Sequence, residues 1–285
     1  MIERPARVTV VEVGPRDGLQ NESAVVDTAA KIRFVEALAD AGLPVVEVTS
    51  FVRPDLVPQL ADADAVLRGI HRRPGVRYPV LVPNVRGLER ALAAGADAIA
   101  VFTAASEAFA QANIGMTIEQ SLEAFAPVLE RARHEGAWRR GYVSTAFGCP
   151  HQGAVDPAAV VSVATRLLEL GCEEVSIGDT IGVAVPEQVT DVVGRLLDHA
   201  PPERLALHLH DTGGRALDNA TAGLDLGIPT FDSSAGGLGG CPFAPGAPGN
   251  LATGDLLQLL DALGIEHGVD AAAVADAVAA LSLTP

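Results

Sequence analysis

What most limits the fold of this chain is a repeated alternation. Short β-branched runs are followed, from one end to the other, by longer stretches whose apolar residues recur at helical spacing. The candidate strands are Val8 to Val13, Val45 to Thr49, Pro79 to Val82, Ala98 to Phe102, Gly141 to Thr145, Glu174 to Ile177, Leu205 to His210 and Thr230 to Ser233. Between them lie patterns such as Ile32, Val35, Leu38 and Ala39 before Gly42, and Val160, Val163, Leu167 and Leu170 before Gly171. A glycine at each stop suits a left-handed C-cap. Eight strand-helix units within 285 residues predict an α/β fold, a closed (β/α)8 TIM barrel, over an open doubly wound sheet. The discriminator is where polar residues fall, because a barrel builds its site at the C-terminal ends of many strands. Here Arg16 and Asp17 follow the first strand, Glu47 lies in the second and Tyr142 in the fifth. Asp179 follows the sixth, His208 and His210 end the seventh, and Asp232 and Ser233 end the eighth.

A glycine-rich segment, Ser234 to Asn250, follows the eighth strand and surrounds Cys241; it reads either as a functional lid or as a long connection. It spells no dinucleotide or P-loop fingerprint. Two helical patterns, Leu256 to Leu263 and Ala271 to Leu281, close the chain, so residues 1–285 are expected to form a single barrel domain.

Charge narrows the partners. A net charge of −16 repels phosphate backbones and anionic lipid, so neither nucleic acid nor membrane is an expected partner. The longest apolar candidate, near Ala91 to Ala105, is interrupted by Asp97, and no charged-then-apolar leader precedes Val8. Cys149, Cys172 and Cys241 are too few and scattered for a disulfide framework. A reduced, cytoplasmic setting is the expectation.

The segment Leu-Ala-Leu-His-Leu-His-Asp-Thr carries the most chemistry. On a strand, His208 and His210 share one face and Leu207 and Leu209 the other. Two adjacent imidazoles read either as ligands to one metal ion or as a hydrogen-bonded pair. Asp17, in Gly-Pro-Arg-Asp-Gly-Leu-Gln-Asn, reads as a turn cap when taken singly. Barrel closure brings the ends of strands one and seven onto one rim, and a carboxylate with two imidazoles then suits Mg²⁺ or Mn²⁺ better than structural zinc. Asn250 offers an amide oxygen to the same ion, or is simply a turn residue. Glu47, inside Val-Val-Glu-Val-Thr-Ser, needs a partner because an unpaired buried carboxylate costs several kcal/mol, and Arg16 is the obvious one. Asp179 either orients a metal-bound histidine or caps the next turn. Cys241 reads as an exposed, reactive thiol, Cys172 as a buried inert one, and Cys149 is unassigned. His71, His134, His199 and His267 are expected at the surface.

Taken together, Val13-Gly-Pro-Arg-Asp-Gly-Leu-Gln-Asn-Glu22, Glu47-Val-Thr-Ser-Phe-Val52, Gly178-Asp-Thr-Ile-Gly182, His208-Leu-His-Asp-Thr212 and Gly237-Leu-Gly-Gly-Cys-Pro242 resemble the 3-hydroxy-3-methylglutaryl-CoA lyase family of DRE-TIM metallolyases. Five motifs in order span nearly the whole chain. The resemblance implies a divalent cation held by Asp17, His208, His210 and Asn250, an acyl-CoA thioester substrate, and assembly as a homodimer. It implies that Arg16 steadies charge on the thioester oxygen, that Glu47 positions Arg16 and substrate, that Tyr142 and Asp179 contact substrate, and that Cys241 acts from a mobile loop. The reaction implied is cleavage to acetyl-CoA and acetoacetate in leucine breakdown, with Asp17 or His208 as base. Three departures stand out: Gly213, Gly254 and Ser23 replace the larger or charged residues common in relatives. A wider pocket at Gly213 would suit a longer substrate such as isohexenylglutaryl-CoA. A condensing synthase of the isopropylmalate or homocitrate type is the more distant alternative.

Overall fold

A computed structural model describes residues 3–240 and 249–281. Its parallel strands are β1 (Thr9–Glu12), β2 (Val45–Val46), β3 (Thr49–Ser50), β4 (Val80–Leu81), β5 (Ala98–Ala104), β6 (Trp138–Ser144), β7 (Glu174–Asp179), β8 (Leu205–Leu209) and β9 (Thr230–Ser233). They are linked by α1 (Thr28–Asp40), α2 (Ala63–Gly69), α3 (Val85–Ala93), α4 (Glu107–Ile114), α5 (Ile118–His134), α6 (Pro157–Glu169), α7 (Pro186–Leu196) and α8 (Ala216–Asp225), and followed by α9 (Thr253–Leu263) and α10 (Ala271–Ala280).

The sheet runs β2-β1-β9-β8-β7-β6-β5-β4-β3. Its two ends, β2 and β3, belong to one continuous stretch, Val45 to Ser50, so the sheet closes on itself. The backbone shows how: Glu47 N–H donates to Glu12 O at 2.8 Å on one side, and Val48 N–H to Pro79 O at 2.9 Å on the other. The single second strand expected from the sequence is therefore two short pieces, because this stretch changes partner halfway to seal the cylinder. With that seam the eight predicted units are present and the TIM barrel is the fold.

Helix starts follow the sequence. Asp27, Asn84 and Asp156 accept backbone N–H groups as N-caps, and Thr117 and Gln120 form a reciprocal capping box. The outer apolar stripes, including Val35, Leu38, Val160, Val163 and Leu167, pack with the outward strand residues into one core. That core is where most of the hydrophobic stabilisation resides.

The barrel interior is different. Instead of the branched residues that usually fill it, Glu47, Tyr142, Arg140, Glu174, Ser176 and Asp232 meet there through side-chain hydrogen bonds. β6 begins at Trp138, three residues before the expected start, because Arg139 and Arg140 are strand residues whose charge disguised them. β8 stops at Leu209, and His210 forms an isolated antiparallel bridge with Asn250. α4 is an insertion between β5 and α5 that the periodicity alone did not separate. His267 is not a free surface histidine: its side chain is 10% exposed and its Nε2 lies 3.0 Å from Asp261 Oδ1. No helix among the described residues is long and apolar enough to cross a membrane.

Candidate metal centre and active site

The first polar residues over the barrel mouth come from a single wide turn, Gly14–Gly18. Arg16, Asp17 and Gly18 all direct their N–H groups to Val13 O, at 3.1, 2.7 and 3.2 Å. Turns of this π type, rare elsewhere, concentrate at functional sites. This one carries the adjacent Arg16 and Asp17 side chains, which are hydrogen-bonded to each other, to the rim.

At the end of β8, His208 and His210 share one face as the strand alternation predicts, and their Nε2 atoms are 3.2 Å apart. Asp17 Oδ2 lies 4.0 Å from His208 Nε2 and accepts from Asn250 Nδ2 at 2.9 Å. Asn250 is brought there because residues 249–251 run against the end of β8, with Asp211 N–H donating to Gly249 O at 2.7 Å and Leu251 N–H to Leu209 O at 2.9 Å. One ligand atom each from Asp17, His208 and His210 lies within 4.8 Å of the others.

That donor set fits a divalent cation. Ligands about 2.1 Å from an octahedral ion are roughly 3 Å apart when adjacent and about 4 Å when opposite, close to the separations found. His210 is also left unsatisfied: among the described residues its Nδ1 is buried with no hydrogen-bond partner, and its Nε2 pairs with His208 Nε2. Burial, with the neighbouring His208, lowers the His210 pKa to about 4, so it is a neutral ligand at pH 7. Burial pushes Asp17 up, but Arg16 and then the two histidines outweigh it, and its carboxyl lies well below the usual range.

The interior network holds these groups from beneath. Arg16 Nη2 is 2.8 Å from Glu47 Oε2, the partner expected from the sequence. Tyr142 Oη donates to the same Glu47 oxygen at 3.0 Å and accepts from Arg140 Nη1 at 2.7 Å. Arg140, fully buried, reaches Glu174 through Nε at 2.7 Å and Asp232 through Nη2 at 2.6 Å. Asp232 Oδ2 in turn lies 3.1 Å from His208 Nδ1. Burial raises Asp232, but Arg140 and His208 outweigh it and keep it ionised. An ionised carboxylate only accepts, so His208 Nδ1 carries the proton and its Nε2 lone pair faces the centre.

A cavity of about 240 Å³ opens above, lined by Arg16, Asp17, Tyr142, His208 and His210 on its polar side. Leu81, Phe102 and Phe109 form its apolar wall. Asp179 does not join them. Both its oxygens accept backbone N–H groups, from Val183 and Ala184 at 3.0 Å each, so it caps the next turn and leaves Gly178 and Thr180 to line the cavity. Burial raises its pKa to about 6. Of the two roles the sequence offered Asp179, the structure shows the turn cap.

Gly213 does not widen the pocket either. It is exposed, and a Cβ there would meet the Gly182 carbonyl at 2.7 Å rather than the cavity. A Cβ at Gly254 meets nothing within 4 Å. Cys172 is buried as expected and burial pushes its thiol up to about 12. Cys149 is also buried, with Ser106 Oγ 3.0 Å from its sulfur. Cys241 lies outside the described residues.

Sequence reasoning missed the parts played by Arg140, Asp232 and Glu12. Asp232 was visible as a strand-end acid, but nothing local assigns it to His208 rather than to a turn. Arg140 was hidden inside a polar run, Trp138-Arg-Arg, that reads as a loop. Glu12, at the end of β1, is fully buried and accepts three hydrogen bonds.

Comparison with known proteins agrees with this geometry. The family model described as HMGL-like matches residues 7–280. A mitochondrial hydroxymethylglutaryl-CoA lyase from Rattus norvegicus is 52% identical over 266 residues, 93% of this chain and 82% of its own length. Among solved structures, hydroxymethylglutaryl-CoA lyase from Pseudomonas aeruginosa superposes with a TM-score of 0.96 at 51% identity, covering 98% of this chain and 93% of its own. An Acinetobacter HMG-CoA lyase, solved in complex with coenzyme A and 3-methylmalate, superposes with a TM-score of 0.92 at 38% identity, covering 99% and 93%. A family match across almost all the barrel, together with a centre built from that family's motifs, shows that the chain belongs to the HMGL-like family of hydroxymethylglutaryl-CoA lyases.

Proposed function

We propose that this chain is a divalent-cation-dependent carbon-carbon lyase that cleaves 3-hydroxy-3-methylglutaryl-CoA to acetyl-CoA and acetoacetate, the closing step of leucine breakdown. The observation that carries the reading is the convergence of Asp17, His208 and His210 within 4.8 Å beside Arg16 at the base of one cavity. Mg²⁺ or Mn²⁺ at these ligands, with Asn250 alongside, would acidify the tertiary hydroxyl and offset the charge of the substrate carboxylate.

Of the two candidate bases, Asp17 and His208, either would have to loosen its bond to the cation before taking the hydroxyl proton. His208 is the better placed, because Asp232 anchors its Nδ1–H and would stabilise the imidazolium once Nε2 is free to accept, whereas Asp17 is already hydrogen-bonded to Arg16 and Asn250. Cleavage of the carbon-carbon bond leaves a ketone on acetoacetate and an enolate on the departing acetyl-CoA. Arg16 stabilises the oxygen of that enolate as its charge develops, held in place by Glu47, itself bonded to Tyr142. Cys241 delivers the proton that turns the enolate carbon into a methyl group. Leu81, Phe102 and Phe109 receive the apolar part of the acyl chain, and a methyl substituent is favoured because Gly213, the residue invoked for a longer chain, is outside the cavity. A cytoplasmic setting is part of the same reading. Assembly as a homodimer is part of the same reading and is tested by sedimentation.

The deciding experiment incubates purified protein with Mg²⁺ and a panel of 3-hydroxy-3-alkylglutaryl-CoA thioesters and measures acetyl-CoA and acetoacetate. The methyl compound is expected to turn over fastest, chelation to abolish turnover, and Mg²⁺ or Mn²⁺ to restore it. Full turnover after exhaustive chelation would overturn the metal-dependent reading.

A further inference from the structure

Glu12 is a fully buried carboxylate of the barrel mouth for which the proposed chemistry has no use. Its oxygens join three segments that are distant in the chain. Oε1 accepts from Gly14 N–H at 2.8 Å, at the start of the turn that carries Arg16 and Asp17, and from Ala235 N–H at 2.8 Å, where the glycine-rich segment begins. Oε2 accepts from Thr253 Oγ1 at 2.7 Å, three residues past Asn250. The packing is too close for side chains elsewhere. A Cβ on Gly14 would stand 2.7 Å from Glu12 Oε1, one on Gly18 would stand 2.8 Å from Leu238 Cβ, and one on Gly239 would stand 2.8 Å from Asn250 Nδ2.

From this geometry we infer that Glu12 is a positioning residue for the cation site, acting as a clasp that fixes the Asp17 turn and the Asn250 arm to the end of β1 so that both face the histidines. It touches no ligand itself. Asp17 and Asn250 come from opposite ends of the polypeptide, and the 2.9 Å bond between them holds only if the segments carrying them keep one spacing. β1 supplies that spacing, because Glu12 is paired in register with both Val46 and Ser233 and cannot move independently of the barrel. Groups that orient ligands from behind typically change metal affinity about 10–100-fold when removed.

This inference rests on the metal reading above, so the test measures Mn²⁺ binding directly, by electron paramagnetic resonance and calorimetry on the purified chain without substrate. Glu12→Ala removes all three anchors and is expected to weaken Mn²⁺ binding about 10-fold or more. Thr253→Val removes the Oε2 anchor together with the 2.9 Å contact of Thr253 Oγ1 with Ser233 Oγ, nearly preserves shape, and is expected to show a smaller weakening. The double variant should bind no worse than Glu12→Ala alone, since both act through one contact. Glu12→Gln keeps the acceptor for both N–H groups and turns an amide donor toward Thr253 Oγ1, so it should bind nearly as the parent does. Thermal melts identify which variants are folded, and Thr253→Val carries the test if Glu12→Ala is not. Folded variants with unchanged Mn²⁺ affinity, or a Glu12→Gln as weak as Glu12→Ala, would overturn the clasp. A parent chain that binds no Mn²⁺ would instead sink the metal reading itself.

Discussion

Arg140 shows how much one side chain organises. Its guanidinium, buried at the middle of the barrel, spends each nitrogen on a different partner: Glu174, Tyr142 and Asp232. Through Tyr142 it steadies Glu47 and hence Arg16, and through Asp232 it steadies His208. Burial alone would lower its pKa, but Asp232 first, with Tyr142 and Glu174, outweighs that and keeps it charged. Asp232→Asn leaves His208 without its anionic anchor and Arg140 short of one counter-charge. Turnover and Mn²⁺ affinity are each expected to fall about 10–100-fold, and urea unfolding should register a loss of about 3–5 kcal/mol for the broken buried pair. A variant with parental affinity and stability would show that the 3.1 Å contact does not orient the ring. Cys241→Ala tests the proposed proton donor: kcat should collapse while KM changes little, and a parental kcat would remove the thiol from the reaction.

Among the elements, the turn Gly14–Gly18 and the segment that follows β9 behave as one unit. Gly18 lies where the turn presses on that segment, and an added Cβ would meet Leu238 Cβ at 2.8 Å and Ser234 Oγ at 3.1 Å. Gly18→Ala is therefore expected to push the two apart, costing about 1–3 kcal/mol by overpacking and lowering turnover through displacement of Asp17 and Arg16. Equilibrium unfolding together with steady-state rates checks both halves of that statement, and an unchanged rate would mean that the turn shifts without moving its side chains. Gly239 makes the complementary contact from the other side with φ +92, a backbone conformation that side chains resist. By contrast, Gly213→Tyr is expected to disturb its contact with Gly182 while leaving the acyl-chain profile unaltered, because residue 213 is outside the cavity.

At the scale of the whole molecule, Glu12 ties stability to pH. Burial, only partly offset by Thr253 and the two backbone N–H groups, raises its pKa from 4.5 to about 7. Between those values the native state keeps a proton that the unfolded chain has released. Its contribution is thus fully present below about 4.5, declines as pH rises toward 7, and is lost above it. The amplitude is about 3 kcal/mol. Glu12→Gln abolishes this titration, so the stability of that variant relative to the parent, measured by urea unfolding of metal-free protein, should increase between pH 4.5 and pH 7.5 or so. A difference independent of pH would show that Glu12 ionises normally in the fold.

Much of this is legible in the amino-acid sequence. The alternation of runs dictated a barrel, since each strand and each helix carries its own periodicity in local sequence. The same local alternation put His208 and His210 on one face, and an isolated acid among valines announced that Glu47 needed a cation. Asp179 was legible only as a choice, and the fold decided it: the backbone N–H groups of Val183 and Ala184 are within reach and the histidines are not its hydrogen-bond partners. The sequence by itself determined which residues can ionise, cap, turn or ligate, because those properties belong to side chains and their immediate neighbours. Only the tertiary structure decided that Asp232 serves His208, that Arg140 joins both halves of the site, and that Glu12 clasps residues 14, 235 and 253. Those pairings depend on strand register and on closure of the cylinder, which bring together groups that no local pattern connects.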